Sequence, residues 1–165
     1  MYIVEVINLE ENKKLREIIE VHGDNLYRIC IIMLGNRQDA EDIMQELFIK
    51  YIQKAPRFID DNHERAWLIR CVNNLCKDML RFRKRYRYEN IDDLELGYMM
   101  DEDKLVLKEI MALSRKYKEV LLLYYLEGYK VGEIANMMKI NQSSVRKRLE
   151  RGRKLLKNNL KEEIL

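Results

Sequence analysis

Along most of this chain apolar residues recur every three or four positions, in runs too long and too periodic for strands, and that period predicts helices. In the first run Leu15, Ile18, Ile19, Leu26, Ile29, Cys30, Met33 and Leu34 form the side to be buried. Asn12 is placed to cap this helix, a slip of spacing at Gly23 predicts a break or kink, and Gly35 ends it. Asn36, with Asp39 three residues on, reads as the N-cap of a second helix with a favourable acid in its first turn. That helix runs to about Lys54 with Ala40, Ile43, Met44, Leu47, Phe48 and Tyr51 turned inward, which leaves Asp39, Asp42, Gln45 and Glu46 on the outside as an acidic stripe. Pro56 closes it and residues 57–62 loop. A third helix from about His63 buries Trp67, Leu68, Cys71, Val72, Leu75, Cys76, Met79 and Leu80, and its polar face reads Arg70, Asn73, Asn74, Lys77, Asp78 and Arg81.

The helical period fades from Tyr88 to Asp103, where the chain turns acidic, and this predicts a linker. Beyond it Leu105, Leu107, Ile110 and Leu113 open a second set of helices. Ser114 is placed to cap a helix holding Val120, Leu121, Leu123, Tyr124 and Leu126, and Gly128 ends it. Val131, Ile134, Ala135 and Met138 make a short apolar helix, and Lys139 to Asn141 make a turn. Asn141 then caps a last helix by accepting from the amide of Ser143 or Ser144; this helix buries Val145, Leu149 and one of Leu155 and Leu156. The pair reads as a helix-turn-helix. The expected architecture is all α: two small helical domains, 12–87 and 104–163, joined by an acidic linker, 88–103.

Composition narrows the function classes. One proline and six glycines in 165 residues agree with a helical chain, and 47% hydrophobic content supports packed cores. Cys30, Cys71 and Cys76 sit within apolar patterns without CxxC spacing and read as reduced core cysteines; His22 and His63 have no second ligand at metal-binding spacing. No nucleotide-cradling glycine loop, nucleophile and base set, or metal cluster stands out, so neither a catalytic residue nor a cofactor is expected. No apolar run approaches the roughly 18 residues that a membrane span requires, and no basic leader precedes the apolar start, so membrane insertion is not expected and a cytoplasmic location is.

Charge is uneven although the net value is only +3. Arg81, Arg83, Lys84, Arg85 and Arg87 form one basic block, and from Arg146 to Lys157 the last helix carries Arg146, Lys147, Arg148, Arg151, Arg153, Lys154 and Lys157 against the single acid Glu150. A lone basic helix is as readily a solvated face as a phosphate-binding one. Behind a turn and a crossing helix, clustered cations favour DNA: the early residues Gln142, Ser143, Ser144, Arg146 and Lys147 are placed to enter the major groove, with Arg151, Arg153 and Lys154 nearer the backbone. By itself this motif also fits a dimeric regulator that binds duplex DNA.

Two separated segments resemble one family, the extracytoplasmic-function group of the sigma-70 family of bacterial RNA polymerase sigma factors, over nearly the whole chain. Asp39-Ala40-Glu41-Asp42-Ile43-Met44-Gln45-Glu46 resembles the family's core-binding motif, and Ala66-Trp67-Leu68-Ile69-Arg70 with Asn74, Leu75, Asp78 and Arg81 resembles its minus-ten recognition helix. Tyr117-Lys118-Glu119-Val120, Glu133-Ile134-Ala135 and Ser144-Val145-Arg146-Lys147-Arg148-Leu149 resemble its region 4. The resemblance implies a non-catalytic subunit that binds core RNA polymerase through Asp39, Asp42, Gln45 and Glu46. It implies that Arg57, Asn73, Asn74, Lys77, Arg81, Arg83, Lys84 and Arg85 handle the opened minus-ten strand, and that the basic last helix reads the minus-thirty-five element. Promoter DNA and an anti-sigma factor are the further implied partners. Lys139 stands where the family often has glycine, which predicts a different backbone geometry in the turn.

Overall fold

In the computed structural model the backbone is described for residues 9–86 and 101–164, and side chains over 13–85 and 107–160. Seven α-helices and one π-helical turn account for the described elements, in agreement with the all-α expectation. The chain divides into two units, Met1–Asn90 and Ile91–Leu165.

The first unit is a three-helix assembly of α1 (Leu9–Leu34), α2 (Arg37–Lys54) and α3 (Asp61–Tyr86), each packed on the other two. Its core comprises Leu26, Ile29, Cys30 and Ile32 of α1, Ala40, Ile43 and Leu47 of α2, and Leu68, Ile69, Val72 and Cys76 of α3. α1 begins at Leu9, so Asn12 lies inside the helix and not at its cap. It also runs unbroken through Gly23, because a period of 3.6 tolerates one small residue without disrupting the hydrogen-bond ladder. Ile19 is exposed and Ile32 takes a core place. Gly35 ends α1 with φ +65°. Asn36 then caps α2 as expected, its Oδ1 accepting from the Asp39 amide at 2.8 Å.

The short connection from α2 to α3 is held by aromatic packing. Phe58 stacks on Tyr51 with ring centroids 6.1 Å apart and meets Trp67 edge-on at 5.7 Å, while Lys14 of α1 lies over the Tyr51 and Phe58 rings. The Tyr51 hydroxyl donates to Glu64 Oε1 at 2.5 Å, and Lys14 pairs with the same carboxylate at 3.4 Å. Burial, reinforced by the Glu64 carboxylate, pushes the Tyr51 phenol well above its ordinary range. Asp60 caps α3 by accepting from the His63 amide at 2.7 Å, and the Ile59 amide donates to His63 Nδ1 at 3.3 Å.

In the second unit α4 (Asp101–Ala112), α5 (Arg115–Leu121) and α6 (Val131–Met138) all pack on α7 (Gln142–Ile164). Most of the expected acidic linker, 87–100, lies outside the described residues, and Asp101 to Asp103 at its end already belong to α4. Ser114 occupies the N-cap of α5, but its side chain accepts no capping bond. α5 continues into a π-helical turn, Leu122–Leu126, after which Gly128 at φ +72° redirects the chain, and the Tyr129 amide bonds to the Leu123 carbonyl at 2.9 Å. Ile134, Ala135, Val145 and Leu149 are buried where α6 crosses α7. Of the two terminal leucines, Leu156 is half-buried and Leu155 exposed. Gly152 lets α7 lie close against α5: a Cβ there would stand 3.0 Å from Leu121 Cδ1 and 3.5 Å from Tyr117 Cβ.

Candidate functional site

The outer face of α2 is the first surface. Asp42, Gln45 and Glu46 are exposed, and neither acid makes an ion pair among the described residues, whereas neighbouring Glu41 is held by Arg37 at 2.8 Å. Asp39 departs from the expected stripe. Its side chain is only 20% exposed and turns to Arg83 of α3, whose Nη2 contacts its Oδ2. Arg83 Nη1 also donates to the Leu34 carbonyl at 3.1 Å. One guanidinium thus joins the last carbonyls of α1, the first turn of α2 and the end of α3: the C-termini of α1 and α3 favour the cation, and the N-terminus of α2 favours the Asp39 carboxylate that it meets. Ile49, three residues beyond Glu46, is exposed on this same face; its spacing of seven from Asp42 is the signal that places it there, outside the inward set.

α3 supplies the second surface. Asn74, Arg81, Lys84 and Arg85 are exposed, Lys77 is half-buried, and Arg57 is exposed in the connecting loop. Asn73 does not join them. It is 6% exposed, because α1 and α2 both press on α3 and widen its buried arc beyond the single stripe that periodicity describes. Arg83 is likewise withdrawn into the junction with Asp39. Asp78 holds Arg81 with Nη1 to Oδ1 at 2.6 Å, which fixes the arginine's direction. Trp67 is half-buried within the aromatic cluster. The adjoining loop exposes Ile59 to 88%.

The third surface is α7 with the turn before it. Lys139 closes α6 in the left-handed conformation, φ 54° and ψ 46°, so a lysine adopts the backbone that glycine favours and the turn geometry does not change. The Ile140 amide reaches back to the Ala135 carbonyl at 3.0 Å. Asn141 Oδ1 then accepts from the Ser144 amide at 2.7 Å and from the Ser143 hydroxyl at 2.9 Å, which fixes where α7 starts. Gln142, Ser143, Arg146, Lys147, Arg151, Arg153 and Lys154 are exposed and Ser144 is half-buried. Arg146 Nη2 donates to Gln142 Oε1 at 3.2 Å. Farther along, the arginines diverge. Desolvation would raise the Tyr117 phenol, but bonds from Lys116 and Arg151 outweigh it and the phenol falls below its ordinary value. Arg151 thus has the Tyr117 phenol of α5 as a neighbour, whereas Arg153 Nη1 donates to Tyr125 OH at 3.2 Å.

Among the described residues no group of His, Cys, Asp and Glu is placed to hold a metal ion, and no helix is long and apolar enough to cross a membrane.

Residues 18–86 match the family model Sigma-70 region 2, and residues 103–156 match Sigma-70, region 4. The extracytoplasmic-function (ECF) RNA polymerase sigma factor SigW of Bacillus subtilis is 28% identical over 165 residues, spanning 88% of this chain and 88% of its own. SigE of Mycolicibacterium smegmatis, also an ECF sigma factor, is 28% identical over 156 residues; the match takes in 87% of this chain but 60% of that longer one. Among solved structures, the sigma factor RpoE from Bartonella quintana, in complex with the anti-sigma factor NepR, superposes with a TM-score of 0.75 at 20% identity, over 90% of this chain and 98% of that one. CnrH, in complex with the cytosolic domain of CnrY, gives 0.68 at 23% identity, over 92% and 90%. At these identities the likeness is one of fold.

Proposed function

Because this chain belongs to the extracytoplasmic-function group of the sigma-70 family and directs core RNA polymerase to promoters, we propose how its surfaces divide that work. The open face of α2, with Asp42, Gln45 and Glu46, docks on a basic partner surface of core polymerase. Asp39 contributes from behind by holding α3 in place. Asn74, Lys77, Arg81, Lys84, Arg85 and Arg57 receive the minus-ten region: the Asn74 amide reads a base edge and the cations hold phosphates of the separated strand. The start of α7, with Gln142, Ser143, Ser144, Arg146 and Lys147, enters the major groove at the minus-thirty-five element, and Arg151, Arg153 and Lys154 bind backbone on either side.

In this scheme the domains are those expected from the sequence, 12–87 for core and minus-ten binding and 104–163 for the minus-thirty-five element. Strand opening draws on tighter binding of single strand than of duplex, with no catalytic step in the chain. The protein works in the cytoplasm, and an anti-sigma factor restrains it; RpoE from Bartonella quintana, whose fold this chain shares, is found in complex with the anti-sigma factor NepR.

The observation that carries this reading is the exposed cationic start of α7, fixed by the Asn141 cap behind a left-handed turn and set against the buried crossing of Ile134 and Ala135 with Val145 and Leu149. Runoff transcription with purified core polymerase on fragmented genomic DNA, with and without the chain, tests it. Start sites that appear only with the chain are expected; start sites indifferent to it would defeat the proposal.

A further inference from the structure

The Tyr124 and Tyr125 side chains are 37% and 55% exposed, directly after four consecutive buried residues, Val120 to Leu123. Their backbone is fixed by the π-helical turn, in which the Glu127 amide bonds to the Leu122 carbonyl at 3.0 Å. Their rings meet edge-on with centroids 5.0 Å apart, which limits the rotation of Tyr125. Tyr125 OH accepts from Arg153 Nη1, so the hydroxyl's own proton points away from the guanidinium and is free to be donated.

Arg153 follows Arg146 by seven residues, two helical turns or about 10.5 Å along α7, and so lies on nearly the same face. Each of the two is steered by a neutral oxygen, Arg146 by Gln142 and Arg153 by Tyr125. Glu150 lies one turn before Arg153 but forms no ion pair with it among the described residues. A neutral buttress fixes direction and leaves the full positive charge for an anion, unlike the carboxylate that holds Arg81.

We propose that Tyr125 belongs to the DNA-contacting surface: its hydroxyl and the Arg153 guanidinium are paired donors for one backbone phosphate beside the upstream promoter element, with Tyr124 holding the Tyr125 ring. This rests on the reading of α7 as the helix that enters the major groove. A phosphodiester suits the pair because it offers two oxygens to two donors, and because Arg146 on the same stripe sets the register of the helix on the duplex.

The test uses holoenzyme assembled from the full chain and core polymerase, bound to a duplex promoter fragment over a range of salt. Tyr125→Phe keeps the ring and is expected to weaken binding about three- to tenfold with an unchanged thermal midpoint, as loss of one hydrogen bond dictates. Arg153→Ala should weaken it about tenfold and lower the salt slope by about one. The double variant should bind no more weakly than Arg153→Ala alone. Replacing single phosphates with neutral methylphosphonates should reveal one position that matters to the wild type and little to Arg153→Ala. Wild-type affinity in Tyr125→Phe, or losses that multiply in the double variant, would overturn the clamp. Arg146→Ala separates the two levels: if it binds like wild type, the groove reading of α7 fails, and if it alone binds weakly, only the clamp does.

Discussion

Arg83 and Asp39, 44 residues apart in sequence, meet side chain to side chain, and the same guanidinium bonds to the Leu34 carbonyl. The last turn of α3 is thereby tied to the first turn of α2. With both side chains about one-fifth exposed, the pair is screened less than a surface ion pair. Arg83→Ala is expected to destabilise the first unit by about 1.5–3 kcal/mol, the range for hydrogen bonds to charged groups. Lys84→Ala and Arg85→Ala, at exposed positions of the same block, should leave the midpoint of urea unfolding where it is. Equal midpoints for all three variants would mean that the junction carries no stability.

Asn73 and Asn74 adjoin in sequence, yet the first is buried and the second exposed. Asn74→Ala should lower transcription from a promoter with an intact minus-ten element while leaving the thermal midpoint unchanged. Asn73→Asp places a charge at a position 6% exposed and should lower the midpoint, with roughly 1–3 kcal/mol lost to desolvation of the carboxylate. A melting curve for each variant beside an abortive-initiation assay distinguishes them.

These two cases show where sequence patterning reaches its limit. The Asn36 and Asn141 caps were legible because a cap involves residues within three positions of one another. The exposed acids of α2 and the cationic start of α7 were legible from helical period and charge alone. The Arg83 junction was not, since its partners lie 44 and 49 residues away, and a basic residue in a basic block offers no local sign of burial. The Asn73 position escaped because a helix packed on two sides buries a broader arc than one stripe. The π-helical turn also escaped, since it depends on how Leu122 to Leu126 fit against α6 and not on any local breaker.

At the turn of the helix-turn-helix, Lys139→Gly should stabilise the second unit. A side chain in left-handed backbone costs about 1–2 kcal/mol, and the added freedom of glycine in the unfolded chain returns about 0.5–1 kcal/mol of that. A net gain of about 0.5–1 kcal/mol in chemical unfolding is the expected result; a loss would mean that the Lys139 side chain makes compensating contacts.

Gly152→Val should act in the opposite sense. A Cβ at this position already presses on Leu121 Cδ1 at 3.0 Å, and a branched side chain adds bulk against α5. A destabilisation of about 1–3 kcal/mol is expected from overpacking, with weakened promoter binding because α7 is displaced. Circular dichroism melts and a promoter-binding titration check both.

Alkaline pH should loosen the first unit through Tyr51. The folded phenol is held above its ordinary value of 10.0, so the contribution to stability is complete below that value and declines as pH rises beyond it, because the unfolded chain releases its proton first. The stability of wild type should fall more steeply above about pH 10 than that of Tyr51→Phe, measured by urea unfolding across that range.

All three cysteines, Cys30, Cys71 and Cys76, lie buried in the first unit and form no disulfide, and burial raises the Cys71 thiol against the pull of Lys50 and Arg70. The chain therefore contains an intrinsic reporter: a thiol-specific reagent registers opening of the α1, α2 and α3 core and passes over events in the helix-turn-helix unit. With no engineered label, the rate of modification times how often that half of the molecule opens, free or bound to polymerase.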